Sequence, residues 1–367
     1  MKVLHIEMGN HLYGGARQVV YLMEGLKHEG VENYLLAPKG SSISIEASDK
    51  CSKVITCNYR GDVDVRLALF VKKAVLKYSI DLVHIHSRRG ADVWGGIGAK
   101  WAKVPAVLSR RVDNAEGPKS IKYKYPLFAK VIAISEGIKT ILVQNGLPAQ
   151  RVACVRSAFV AEDSQHPIDR QSFLARFQLP ENSLVLAAVA QLIPRKGHKL
   201  LVECLPTLLE KHPSIQVLFF GEGAERNNIE QQITSAGLSD RIQLAGFQSD
   251  LNHLIGNVDL LVHPAYTEGL GVSLIQASAA SVAIIASDAG GMPEIVRSGE
   301  NGLLVPPGNK EALIDAIERL VSDQNLRQKM GARGKYIAEQ EFSVPVMVDG
   351  NLAVYRKVLG NSDETEG

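Results

Sequence analysis

Residues 260–280 read LLVHPAYTEGLGVSLIQASAA, and this stretch decides the fold. Leu260–His263 is a short apolar run of strand length. A glycine-bounded loop follows, and from Val272 apolar residues return at helical spacing. Ala283–Ala286 is the next short apolar run. Strand, loop, helix and strand in close succession predict a parallel βαβ unit, because parallel neighbours need a crossover.

The same alternation extends in both directions. Downstream, Gly302–Val305 reads as a strand, and Lys310–Ser322 and Asn325–Ile337 as helices. Upstream, strands are predicted at Leu184–Val189, Val217–Phe220 and Ile242–Leu244, with helices at Gly197–His212 and Ala224–Ala236. The first half repeats the pattern. Its strands are Val3–Ile6, Tyr34–Ala37, Asp81–Ile85, Ala106–Leu108 and Val131–Ile134. Its helices are Ala16–His28, Val65–Tyr78 and Ala91–Lys103, and Ser135 is placed to cap one more. Phe159–Pro180 breaks the alternation with polar residues and two prolines, and reads as a linker. Val344–Leu359 is an isolated helix pattern, and the polar tail NSDETEG reads as disorder.

A chain of 367 residues is also too long for one ordinary core. The reading is therefore α/β: two doubly wound, Rossmann-like domains, residues 1–160 and 170–340, facing across a cleft. With 46% hydrophobic and 22% charged residues, the chain is neither disordered nor fibrous. No apolar run reaches the length of a membrane-spanning helix, and the N-terminus lacks the pattern of a secretory signal. Four scattered cysteines, without metal-site spacing, read as reduced thiols of a cytoplasmic protein.

The net charge of +2 conceals an asymmetry. Residues 1–160 carry 24 Lys and Arg against 13 Asp and Glu, leaving −9 for the rest. A basic half points to an anionic partner (phosphate groups, a membrane surface or nucleic acid) or to a solvated face with no partner. No RNA- or DNA-binding module is recognisable, which argues against nucleic acid.

Several residues could carry chemistry. Gly14 and Gly15 precede the first long helix, where backbone amides can approach an anion; a plain tight turn fits equally well. Arg195 and Lys196 follow the Leu184–Val189 strand and suit a diphosphate, although an ordinary basic turn has the same composition. Glu268 stands beside Gly269 and Gly271 at a helix start. The amides there suit phosphate oxygens and the carboxylate suits sugar hydroxyls, unless Glu268 merely complements the helix dipole. Glu294, after Gly290–Gly291, suits a local backbone anchor.

These segments together resemble the GT-B glycosyltransferases of the large retaining group called family 4. PRKGHKLL, GEGAERNNIE, HPAYTEGLGVSLIQA, GGMPEIV and NGLLVPPGN occur in the family's order and spacing, and the likeness spans essentially the whole chain. The resemblance implies that the second domain holds a nucleotide-sugar donor and the first an acceptor, with the final helix, 344–359, crossing back onto the first domain. Lys196 matches the lysine that holds the donor diphosphate. Glu268 matches the first acid of the family's Glu-x7-Glu motif, at the donor sugar. Gly269, Leu270, Gly271, Val272 and Ser273 match the loop that cradles sugar and phosphate, and Gly14 and Gly15 the loop that closes on the phosphate. Gly221, Glu222 and Phe247 match the neighbourhood of the nucleotide base.

The chain departs from the family at three places. The second acid of the motif is Gln276, which can still hydrogen-bond a diol. Gln191 stands where Arg is frequent. Arg111 falls where many members carry a histidine; it can hold phosphate or hydroxyl groups but cannot act as a base.

The resemblance implies a retaining, metal-independent hexosyltransferase without a cofactor. Its donor is a nucleotide-diphosphate sugar, a UDP-sugar by preference, and its acceptor a cell-envelope glycan or glycolipid such as lipopolysaccharide. The alternative is a nucleotide-sugar-binding protein of the same fold with impaired catalysis. An epimerase or phosphorylase would need a different acid–base set. The run GPKSIKYKYPLFAK interleaves Lys119, Lys122, Lys124 and Lys130 with aromatic and aliphatic residues. It predicts either peripheral docking on the anionic inner face of the cytoplasmic membrane or a packed helix with solvated lysines.

Overall fold

The computed structural model describes residues 1–12, 14–87, 90–160 and 167–360. The chain divides into two compact units. One comprises Met1–Ala158 with Val344–Gly367, the other Phe159–Ser343. The tail 361–367, and residues 161–166 of the expected linker, lie outside the described residues.

Each unit is built on one parallel sheet. The first has strands β1 (Lys2–Ile6), β2 (Glu32–Pro38), β3 (Lys53–Cys57), β4 (Leu82–Ile85), β5 (Ala106–Arg110), β6 (Lys130–Ala133) and β7 (Val152–Cys154). Their order is β3-β2-β1-β4-β5-β6-β7. The second has β8 (Leu184–Val189), β9 (Ile215–Phe220), β10 (Ile242–Gly246), β11 (Leu260–His263), β12 (Ile284–Ser287) and β13 (Gly302–Val305), in the order β10-β9-β8-β11-β12-β13. Both are doubly wound sheets. The chain runs outward from a switch point between β1 and β4 in the first, and between β8 and β11 in the second. Ligands of such sheets bind beyond the carboxyl ends of the strands at that point.

The central strands are mostly apolar, as strands covered on both faces are, with His5, His84 and His263 as buried exceptions. Val3, Leu82, Val107 and Ile132 form a core with Leu22 and Leu26 of the helix Gly14–His28. The final helix, Val344–Val358, closes this core with Met347, Val348, Leu352 and Tyr355. It lies so close to the first helix that a Cβ on Gly25 would stand 2.3 Å from Val348. Ser135 caps the helix Glu136–Gln144, its hydroxyl accepting from Ile138 N at 3.1 Å.

One expectation is corrected, and a second is met only in part. The polar stretch at 159–180 is not a linker throughout. It contains the helix Arg170–Arg176, capped by Asp169, and Phe173 is fully buried on the second unit. Gln171, Ser172 and Arg176 form the solvent side of that helix. The 119–130 run is partly exposed and partly packed: Lys119, Lys122 and Tyr123 are exposed. Tyr125 and Phe128 are buried, while Lys124 binds Asp92 at 3.3 Å and Glu116 at 3.0 Å. Glu116 also meets Arg110 at 2.9 Å, and Lys130 donates to the Gln150 carbonyl.

Candidate active site

In the second unit, the loops after β8 and β11 meet at the switch point. The chain leaves β8, makes a tight turn at Pro194–Lys196 and enters the helix His198–Lys211 through Gly197. Gly197 has φ +74°, and a Cβ there would stand 2.0 Å from the Pro264 carbonyl oxygen. Only glycine permits that approach. Tyr266 N donates to the Arg195 carbonyl at 2.8 Å, and Arg195 Nη1 to the Thr267 carbonyl at 3.1 Å.

This seam brings Lys196 Nζ against Glu268 Oε2 in an ion pair that is largely shielded from water. His263 Nε2 lies 3.2 Å from the same oxygen, and Gly269 N donates to Oε1 at 3.1 Å. Burial alone would raise the Glu268 pKa. The His263 hydrogen bond and the Lys196 charge outweigh it and hold the carboxyl down at about 2. Glu268 is therefore a fixed carboxylate. His263 is itself pushed down by burial, against the pull of Glu268.

The backbone beneath Glu268 is equally constrained. Gly291 N donates to the Glu268 carbonyl at 2.9 Å, and Gly290, at φ +58°, leaves only 2.0 Å between that oxygen and an added Cβ. Gly271 follows at φ +98° and opens the helix Val272–Ala279. The amides of its first turn have no intrahelical partners and carry the positive end of the dipole. A cation, a carboxylate and a helix start thus converge at one strand-end crevice.

The other expected contacts of this unit fall into two groups. Gln191, Gly221, Glu222 and Phe247 sit on neighbouring loops. Gly221 N donates to the Gly246 carbonyl at 2.9 Å, Leu192 N to the Glu222 carbonyl at 3.0 Å, and Phe247 stands exposed. Gln276 Nε2 donates to Asn252 Oδ1 at 3.0 Å, so its amide is held by a polar side chain of the same unit.

In the first unit, Arg111 follows β5 and lies against the Gly14–Gly15 helix start: an added Cβ on Gly15 would be 3.6 Å from Arg111 Cδ. Arg111 Nη1 reaches Ser157 Oγ at 3.4 Å. Burial lowers the guanidinium to about 10, partly offset by Glu7. Glu7 follows β1, and burial raises its carboxyl against the lowering effects of Gly9 N and Arg111.

Sequence reasoning missed Glu7, His86, His198 and His263. All four stand at or just beyond a strand end or a helix start near a switch point, and that position was the available signal. His5, His84 and His86 form a buried chain behind Glu7. His5 Nδ1 meets His86 Nε2 at 3.0 Å, and His5 Nε2 meets Asn33 Oδ1 at 3.0 Å. His84 binds Tyr355 Oη at 2.6 Å and Ser109 Oγ at 2.8 Å. Three imidazoles this close could hold a metal ion. Their nitrogens are instead committed to one another and to neutral partners, apart from His86 Nδ1 among the described residues. Neither a carboxylate nor a thiolate of the described residues completes the group. His198 is buried with both ring nitrogens unpartnered among the described residues, and burial lowers it to about 4.

Comparison with known proteins is consistent along the chain. Residues 169–336 match the family described as Glycosyl transferases group 1, and residues 13–158 match Glycosyltransferase Family 4. EpsD of Bacillus subtilis, which carries a glycosyltransferase name, is 34% identical over 291 residues, covering 73% of this chain and 74% of EpsD. The lipopolysaccharide core biosynthesis glycosyltransferase LpsE of Rhizobium meliloti is 26% identical over 355 residues, covering 96% of this chain and 98% of LpsE. Among solved structures, HepE of Anabaena, crystallised with UDP and glucose, superimposes with a TM-score of 0.85. It is 21% identical, with 97% of this chain and 100% of HepE covered.

Proposed function

The chain belongs to the group 1 glycosyltransferases of the GT-B fold, and we propose that it moves a sugar, with retention, from a nucleotide-diphosphate donor to a hydroxyl of a cell-envelope glycan or glycolipid. The observation that carries this reading is the meeting of Lys196, Glu268 and the Gly271 helix start at the second switch point. Lys196 and the first-turn amides offer positive charge to a departing diphosphate, so the reaction needs no metal there. Glu268, fixed as a carboxylate, accepts hydrogen bonds from donor-sugar hydroxyls and faces positive charge developing at the anomeric carbon. The acceptor hydroxyl attacks that carbon from the side on which the diphosphate leaves. A phosphate oxygen of the leaving group takes the hydroxyl proton as the new glycosidic bond forms.

A UDP-sugar is the favoured donor; HepE, of the same fold, was crystallised with UDP. The acceptor class follows LpsE, a lipopolysaccharide core enzyme by name. A lipid-linked acceptor also places the enzyme on the inner face of the cytoplasmic membrane, as a peripheral protein. No helix among the described residues is long and apolar enough to cross a bilayer.

The test is release of nucleoside diphosphate from a panel of UDP-, GDP- and ADP-sugars, with and without EDTA. One donor should be turned over, unaffected by EDTA, and Glu268→Gln should lower the rate by orders of magnitude. Lys196→Ala should weaken UDP binding by calorimetry. A folded protein that binds UDP and turns over no donor would favour the impaired binding protein. An absolute requirement for added divalent metal would reject the metal-free route.

A further inference from the structure

The helix Arg66–Tyr78 presents an unusual outer face. Its inner face buries five apolar residues. Leu69, Phe70, Lys73, Leu76 and Lys77 are all exposed on the other side. At 3.6 residues per turn, these five fall within an arc of roughly 120°. The outward face of such a helix is normally polar. Here Leu69 is 51% and Leu76 62% exposed, and the approach to the helix adds Val63 at 83%. The sequence RLALFVKKAVLKY contains three lysines, one arginine and no acid. Asp64, just before it, is buried and already bound to Arg66 at 2.7 Å.

We propose that this face is a docking surface for an anionic lipid bilayer. Leucine and phenylalanine enter the headgroup boundary, while Lys73 and Lys77 stay with the lipid phosphates. The charge pattern selects this occupant over a second copy of the chain. A two-fold contact across the helix would set its lysines against each other, with no acid on the helix itself to separate them; the nearest exposed acid in sequence is Asp62, ahead of Val63. The surface is separate from the 119–130 run, where Lys124 and Lys130 are engaged within the unit while Lys119, Lys122 and Tyr123 are exposed. It rests on the proposed function only in the expectation of a lipid-linked acceptor.

The test is sedimentation of the full chain with phosphatidylcholine vesicles and with equimolar phosphatidylcholine/phosphatidylglycerol vesicles, at low and high salt. Protein should pellet with the anionic vesicles, and less so at high salt. Lysines at such a surface hold it to anionic lipid, so Lys73→Glu with Lys77→Glu should weaken partitioning at least tenfold. Leu69→Ser with Leu76→Ser should do the same with unchanged charge. These side chains are exposed, so the melting temperatures should stay at the wild-type value. Lys119→Glu with Lys122→Glu should pellet as wild type. Recovery in the supernatant under all conditions would overturn the proposal, as would a concentration-dependent dimer that Leu69→Ser disrupts. Donor turnover measured in parallel separates the two readings: an active enzyme that never pellets loses only the docking surface.

Discussion

Lys196 and Glu268 pair across the loops that follow β8 and β11, with 8% and 15% of their side chains exposed. A pair this enclosed is sensitive to removal of one member, because the survivor is left buried without its counter-charge. Lys196→Met should destabilise the protein by about 3–5 kcal/mol in urea denaturation. The double variant Lys196→Met/Glu268→Gln should recover much of that loss. Additive losses in the two single variants would contradict a coupled pair. The same competition bears on ligands, since a diphosphate must draw Lys196 from Glu268. Glu268→Gln should therefore bind UDP more tightly while turning over donor more slowly.

His263 touches Glu268 and positions its carboxylate. The carboxyl is held near 2 because His263 and Lys196 together overcome the cost of burial. Removing the imidazole shifts that balance upward. His263→Phe should move the acid limb of the kcat/KM profile to higher pH and lower kcat more than it raises donor KM. His263→Gln, which keeps a donor nitrogen, should lie between it and the wild type. An unmoved acid limb in His263→Phe would leave His263 as packing alone.

The doubly wound α/β class was legible in the sequence because both domains place short apolar strands between amphipathic helices. Leu184–Val189, Leu260–His263 and Gly302–Val305 fall on the predicted residues. β3 and β7 escaped: Lys53–Cys57 is partly exposed at the sheet edge, and Val152–Cys154 is only three residues long. Lys196, Glu268 and the glycine loop were legible because backbone demands at Gly197, Gly271 and Gly290 leave composition marks. The partners of Glu268 were not. His263 reaches it by tertiary closure of a loop, which has no period in sequence. The pairing of Lys124 was not legible either: Asp92 comes from another helix, and Glu116, just before the run, meets it only through the local fold.

Gly290 and Gly237 both have positive φ, yet only Gly290 faces an obstacle. An added Cβ at Gly290 would be 2.0 Å from the Glu268 carbonyl oxygen, whereas nothing lies within 4 Å at Gly237. Gly237→Ala should cost only the left-handed backbone penalty, about 1–2 kcal/mol, with turnover retained. Gly290→Ala must also displace the loop that carries Glu268. It should abolish turnover and lower the melting temperature further than Gly237→Ala does. Equal effects of the two substitutions on activity would show that the loop tolerates the shift.

Acid should destabilise the protein in two separate windows. His5 is lowered from 6.5 to about 4 by burial, partly offset by its bond to Asn33, and burial holds His84 and His86 below 6.5 as well. The folded state keeps these rings neutral while the unfolded chain protonates them. Their contribution is complete above about pH 6.5 and is lost as pH falls toward 4. For His5 alone, a shift of this size corresponds to about 2 kcal/mol at pH 5. The Glu268 contribution is complete above its ordinary value of 4.5 and disappears only as pH falls toward 2. Urea midpoints measured between about pH 7.5 and 5 should therefore fall before Glu268 titrates. His5→Gln should be less stable at neutral pH, because Asn33 and His86 lose their partner, and its stability should decline less steeply with acid. A wild-type midpoint independent of pH across this range would mean that the buried histidines are not held neutral, and that the chain behind Glu7 is solvated.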